Sequence, residues 1–303
     1  MENLQALKLP SGKTAQERCI RRTAKVGKLA WITGEAVKHV FLAGISLVMA
    51  FPFLWMVISA LKTKAEVMNT EIFLPQEAQW GNFAEVIFHS PILRYMGNSL
   101  LVSAAIVLLQ VVTGGMMAYA LSFMRFRGRK ALFLVVVGTY MLPPAATYIP
   151  GYIILSQLNL LDSLTGLTIS CTVNIFGIFL LRQAFMQLPY GLVEAAKVDG
   201  ARPWYILWNI VFPLTRPTFI TFILMSFITS YNSYMWPSLI TETPDKALIS
   251  QGLRMFFIEG GAYGTEWPKV MAASAVIVIP LLLLFLFTQK WFIKGISDTG
   301  MKG

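Results

Sequence analysis

The chain has 303 residues, of which 56% are hydrophobic and only 13% charged, with a mean hydropathy of +0.62. A soluble domain carries about 25% charged residues, so this composition excludes an ordinary soluble enzyme and indicates a polytopic membrane protein. The net charge of +10 would suit nucleic acid, but the cations follow membrane topology, and no nucleic-acid partner is expected.

Residues 1–36 form a polar, basic amino tail (Lys8, Lys13, Arg18, Arg21, Arg22, Lys25, Lys28). It is too long for the basic region of a signal peptide, and the apolar run that follows is a full span. Gly12-Lys13-Thr14 resembles the end of a phosphate-binding loop, but the required earlier glycine is Leu7, so no nucleotide site is assigned. Cys19 and Cys171 lie in unlike surroundings and form neither a disulfide framework nor a metal site.

Six apolar segments approach the roughly 20 residues a bilayer requires. The first covers 40–61 and contains Pro52, and a polar connection follows over 62–95. The second, 98–123, offers Gly114-Gly115 and Ala118 for close helix contact. Arg125, Arg127, Arg129 and Lys130 end it. The third, 131–155, is interrupted by Pro143-Pro144 and Pro150, where kinking or unwinding is expected against protein or a watery cavity. The fourth covers 164–181, the fifth 218–236 and the sixth 270–287, with an outer connection over 238–268 and a basic tail over 289–303. The amino tail through Lys38, the 125–130 turn, the 182–216 segment and the carboxyl tail hold 19 of the 25 Lys and Arg residues. The positive-inside rule therefore places both termini and the 182–217 loop in the cytoplasm. The expected fold is all-α, with six transmembrane helices in a domain over 37–303.

The spans contain no acidic or basic group well inside them, which argues against a proton-coupled carrier. They offer Asn98, Gln110, Tyr140, Asn174, Tyr231, Asn232, Tyr234 and Trp236, amide and aromatic groups that suit an uncharged polyhydroxylated solute. For any single one of them the more ordinary role is interhelical hydrogen bonding or an interfacial aromatic belt. His39 and His89 are the only histidines, and no paired carboxylates or Cys-His ligand spacing occur. No enzyme activity is expected of the chain, and uphill transport would draw its energy from another subunit.

The polar stretch 188–200 stands out between apolar segments. Pro189 suits a first helical turn. Leu192, Val193 and Ala196 make a narrow apolar stripe, Glu194 and Lys197 take the exposed side, and Gly200 suits a left-handed helix end. Arg202, extended by Pro203, leads into a second short helix over 204–211. Ala195 and Ala196 form a low-bulk knob able to enter a partner's cleft.

Glu194-Ala195-Ala196, Gly200, Ile210 and Pro213 match the E-A-A, three residues, G, nine residues, I-x-L-P signature, with Phe212 replacing the usual Leu. On these residues the chain resembles the permeases of binding-protein-dependent ABC importers. Pro52-Phe53-Leu54-Trp55, Leu61-Lys62-Thr63, Asn98-Ser99, Tyr119-Ala120-Leu121, Met141-Leu142-Pro143, Asn232 with Trp236-Pro237, and Gln289-Lys290-Trp291-Phe292 are similar to the carbohydrate-uptake branch, related to the second maltose-type permease. Leu161-Asp162-Ser163, Arg182-Gln183 and Thr265-Glu266-Trp267 are similar to the glycerol-phosphate permease.

The resemblance implies a permease in the cell membrane of a prokaryote, paired with a homologous permease, two ATP-binding subunits and a solute-binding protein. ATP and Mg would be bound by the partners, with no cofactor on this chain. Glu194, Ala195, Ala196, Asp199, Gly200 and Pro213 would couple to an ATPase subunit, while Gly260, Gly261 and Trp267 would meet the binding protein. The carboxyl tail would dock between the ATPase subunits. The expected cargo is a neutral sugar or oligosaccharide, with glycerol phosphate as the alternative and a stand-alone channel or secondary carrier as the competing class.

Overall fold

The computed structural model describes residues 13–69, 71–259 and 266–300, and all regular structure among them is helical. The chain divides into two units, Met1–Trp55 and Met56–Gly303. The first unit holds most of α1 (Lys13–Ala60), so helix extends well into the segment expected to be a plain tail. From Gly34 onward α1 is long and apolar enough to cross a membrane, and Phe41, Leu47 and Val48 are exposed as lipid-facing residues would be. Pro52 lies within it.

In the second unit the central element is α4 (Ile92–Phe123), a 32-residue helix about 48 Å long at 1.5 Å per residue. It is preceded by α2 (Lys64–Met68) and α3 (Gly81–Phe88). The start of α2 is closed by a reciprocal cap. The Glu66 carboxylate accepts the backbone N–H groups of Thr63 at 2.8 Å and Gln76 at 3.0 Å. These bonds, that from Thr63 foremost, hold its pKa below the ordinary carboxylate value. Lys62 is buried beside this turn and donates to the Ile72 carbonyl at 2.6 Å.

The third and fourth expected spans are each a bent pair of helices, and a bend also precedes the fifth. α5 (Arg129–Thr139) and α6 (Pro144–Gln157) meet at 100°. Pro143 is extended and Pro144 starts α6, where its missing N–H costs nothing. Pro150 does not end α6. The fourth span, expected to be continuous over 164–181, is α7 (Leu164–Ser170) and α8 (Ile175–Met186), bent by 44°. The cause is local, for the Asn174 side chain accepts the Gly177 N–H at 2.9 Å and restarts the helix.

Beyond α9 (Tyr190–Val198), α10 (Pro203–Ile206) runs through a π-helical turn, Leu207–Val211, into α11 (Phe212–Leu214). A 91° bend at Thr215 leads to α12 (Arg216–Tyr231), which stops before the expected end at Trp236. Trp236 belongs to α13 (Met235–Ile240), followed by α14 (Ile249–Glu259) and α15 (Trp267–Gly300). The expected carboxyl tail is helical through Gly300. Among the described residues three helices are long and apolar enough to cross a membrane, and the count rises to six when each bent pair is one span.

α8, α12, α14 and α7 pack on α4, and α15 packs on α12 and α3. Gly114 and Gly115 lie where α12 crosses α4, the Phe222 and Phe219 rings standing an ordinary contact distance of 3.6 Å from where a Cβ would be. Gly166 is more tightly confined, since an added Cβ would lie 2.0 Å from the Leu160 carbonyl oxygen, a backbone atom. Gly166→Ala should therefore lower the thermal unfolding midpoint of the detergent-solubilised protein, by overpacking worth about 1–3 kcal/mol. Gly97→Ala, where nothing lies within 4 Å, should not.

Candidate functional site

The two ends of α4 carry different chemistry. At its C-terminal end sits α9, which begins after an extended Pro189, so the proline precedes the first turn. Its end is a complete Schellman motif. Gly200 has φ +81°, its N–H donates to Lys197 O at 3.1 Å, and Ala201 N–H donates to Ala196 O at 2.9 Å. Pro203 then starts α10. The result is the bent pair of helices that the sequence implies.

The inward face of α9 is Val193 and Ala196, both buried in one cluster with Phe123, Phe185, Ile206 and Phe219. Leu192, expected in that stripe, is exposed, because the narrow contact admits only the 193/196 row. Ala196 is therefore part of the anchor, and Ala195 alone of the expected alanine knob is exposed. Glu194, Asp199 and Pro213 are also exposed. Sequence reasoning missed what ties this helix down. Lys197 Nζ donates to Phe123 O at 3.1 Å, a carbonyl at the open end of α4, where a cation is also favoured by the helix dipole. The Tyr190 ring lies 6.3 Å from that of Phe123 and 5.9 Å from the Arg125 guanidinium carbon. Arg125 also reaches Glu194 at 3.7 Å. The only sequence signal was the helical spacing of Tyr190, Val193 and Lys197.

Midway along α4 lies a cavity of about 550 Å³, bounded by α4, α6, α7 and α12–α13. Two of the eight expected pathway residues, Gln110 and Trp236, line it. Gln110 is buried, and both ends of its amide are bonded. It donates to Cys171 O at 2.6 Å and accepts from Asn174 at 3.2 Å and from Ser226. Trp236 stacks on Tyr148 with centroids 5.5 Å apart, donates to Ser170 Oγ at 2.9 Å, and rests over Gly151. The remaining polar lining, Thr147, Tyr148, Ser170, Thr229, Ser230 and Ser233, was not singled out from the sequence. The lining contains no charged side chain.

The other candidates do not converge there. Asn98 donates to the carbonyls of Asp245 and Ala247, and Tyr231 is buried with its hydroxyl on Ile277 O at 3.1 Å. Asn174 caps α8, Asn232 bonds back to Ile228 O, Tyr234 is held by Arg254, and Tyr140 is exposed. These are mostly structural assignments, and a polar residue in an apolar run gives no sign of which it will be. Gly260 and Gly261 lie outside the described residues. Trp267 opens α15.

At the Ile92 end of α4, the cavity's walls are latched. Asp162, left-handed at φ 46°, accepts N–H bonds from Glu242 at 3.1 Å and Thr243 at 3.0 Å, a hydroxyl bond from Thr243, and an ion pair from Lys246 at 2.8 Å. Lys246 foremost, then Thr243, pulls its pKa well below the usual carboxylate range. The Asp162 N–H in turn donates to Ile240 O at 2.8 Å, tying the α6–α7 turn to the end of α13. A depressed folded pKa contributes stability above the unfolded value of about 3.8 and loses it as pH falls through the folded value. Asp162→Asn should lower the unfolding midpoint by a constant amount from pH 7 to pH 5. The gap to the parent should close only in stronger acid, as followed by thermal unfolding against pH.

The sequence profile of the family described as "binding-protein-dependent transport system inner membrane component" matches residues 110–298. The sn-glycerol-3-phosphate transport system permease protein UgpE of Pectobacterium atrosepticum is 31% identical over 272 residues, 88% of this chain and 96% of the relative. Among solved structures, a chain of a bacterial ABC transporter involved in the import of the acidic polysaccharide alginate is similar at TM-score 0.73 and 24% identity, covering 84% of this chain and 95% of that one. A chain of the alginate transporter in complex with an alginate pentasaccharide-bound periplasmic protein is similar at TM-score 0.56 and 15% identity, covering 87% and 94%.

Proposed function

The chain belongs to the binding-protein-dependent transport system inner membrane components, and we propose that it is the carbohydrate-uptake permease whose α9 receives the stroke of an ATPase subunit. In this reading α9 to α11 lie in the cytoplasm within the 182–217 loop, both termini lie on the same side, and the six spans are α1, α4, the bent pairs α5–α6 and α7–α8, the segment from α12 into α13, and α15. A second permease subunit, two ATP-binding subunits carrying ATP and Mg, and an extracytoplasmic solute-binding protein complete the importer. The 238–268 connection, including Gly260, Gly261 and Trp267, faces the binding protein.

One observation carries the coupling role: α9 has an anchored face and a free face. Val193, Ala196 and Lys197 fasten it to α4, α8 and the α10–α12 segment. Ala195 and Asp199 remain open to a partner, as does exposed Glu194 beyond its 3.7 Å contact with Arg125. A push on the free face cannot be absorbed by slippage at the anchored one, so it moves the packed helices as a body. Gly200 and Pro203 set the turn that presents that face. Gly200→Pro should abolish transport-coupled ATP hydrolysis in the assembled importer while membrane insertion persists. Coupled hydrolysis at the parent rate would overturn the assignment. Solute flux through this chain reconstituted alone would instead establish a channel or secondary carrier.

The cargo proposed is a neutral sugar or oligosaccharide. The 550 Å³ cavity presents an aromatic plate, Tyr148 on Trp236, beside hydroxyl and amide groups. A phosphorylated solute calls for cationic partners, and the lining contains none. The second reading is glycerol phosphate, favoured by the relative's name. Trp236→Ala should reduce labelled oligosaccharide uptake about two- to tenfold if the plate binds sugar, given about 0.5–1.5 kcal/mol for an aromatic contact. Competition by glycerol 3-phosphate with no competition by neutral sugars would select the second reading.

A further inference from the structure

The turn joining α4 to α5 carries four cations in six residues, Arg125, Arg127, Arg129 and Lys130. They line a cleft of about 980 Å³ that also includes Ser122 and Tyr190, the first residue of α9. Arg129 serves the fold, donating to the carbonyls of Ser122 and Met124, each at 3.1 Å, and closing the end of α4. Arg125 is 81% exposed, and its contact with Glu194 is long. Arg127 and Lys130 pair with no carboxylate among the described residues. The positive charge of the cleft thus exceeds its own counter-charge.

Two further features say what anion fits. α5 starts after Gly128, which has φ +83° and no side chain to cap the helix, so the first N–H groups of an 11-residue helix stay open beside the cations. Directly above, α5 presents Leu132, Leu134 (70% exposed) and Val135 (62% exposed), with Phe126 exposed at the turn. A phosphate held at the cleft would therefore have an apolar helix face running away from it. A soluble anion has no use for that face, whereas acyl chains do.

We propose that this cleft binds the phosphate headgroup of an anionic phospholipid, with its chains along α5, and that the bound lipid biases α9 by competing with Glu194 for Arg125. The first part stands on the cleft itself, and the second rests on the coupling role proposed above for α9. Lys and Arg near an anionic surface each strengthen lipid attraction about fivefold.

The test uses the assembled importer in nanodiscs of phosphatidylcholine, with and without phosphatidylglycerol, and reads lipid retention by native mass spectrometry separately from coupled ATPase activity. The parent should retain phosphatidylglycerol, and its coupled ATPase rate should change with the anionic fraction. R127Q/K130Q should retain it about thirtyfold less and lose that response, while matching the parent in pure phosphatidylcholine. R127K/K130R should behave as the parent. Equal retention by the parent and R127Q/K130Q would overturn the site. Inorganic phosphate that displaces the lipid and reproduces the ATPase response in phosphatidylcholine would overturn the lipid assignment in favour of a free anion. Cation-dependent retention without any ATPase response would overturn only the link to α9, which keeps failure of the coupling reading distinct from failure of the lipid site.

Discussion

The carbonyl end of α4 is the constraint on which the rest depends. A helix of this length finishes with backbone acceptors that cannot be left bare beside a bilayer. Two cations from different parts of the chain satisfy them here. Arg129 closes over Ser122 and Met124 from the next helix, and Lys197 reaches Phe123 from α9. The second of these makes the short polar helix part of the bundle. Burial of Val193 and Ala196 against Phe123, Phe185 and Phe219 completes the joint.

From that joint the sequence of consequences runs along α4. Gly177 of α8 lets the Phe222 ring of α12 approach, and Gln110 ties α7, α8 and α12 to α4 through Cys171, Asn174 and Ser226. In an apolar interior each such buried polar group is costly unless paired, so this node holds the helices in one register. The cavity lies beside it. Beyond the cavity, Asp162 gathers Glu242, Thr243 and Lys246 and fastens the turn between α6 and α7 to the end of α13. One helix thus connects the anchored α9, a cavity with hydroxyl and amide groups in its wall, and a latched far end.

The bends show the same economy. Each of the three bent pairs breaks at a residue that supplies its own backbone solution: Pro143-Pro144, Asn174, and Thr215 ahead of Arg216-Pro217. At the last, Thr215 donates to the Val211 carbonyl at 2.7 Å after a π-helical turn. Irregular backbone at membrane depth is tolerated where it is buried in protein or lines a cavity. The break between α7 and α8 and the gap between α12 and α13 flank residues of the cavity wall.

By itself the sequence determined the membrane class, the helical composition, the break at Pro143-Pro144 and the bent shape around Gly200 and Pro203. It also determined the family, through Glu194-Ala195-Ala196, Gly200, Ile210 and Pro213. These follow from properties local in the chain: transfer of apolar side chains, the missing N–H of proline, and the left-handed conformation open to glycine. Only the tertiary structure decided that Ala196 faces inward while Ala195 faces out, that Lys197 holds α4, and that Gln110 and Trp236 meet at a cavity while Asn98 and Tyr231 support the frame. Those outcomes depend on partners 46 to 149 residues away in the chain, as for Tyr231 with Ile277 and Asn98 with Ala247. An amide or phenol in an apolar run has the same composition whether it binds a solute or a neighbouring carbonyl, and only packing distinguishes the two.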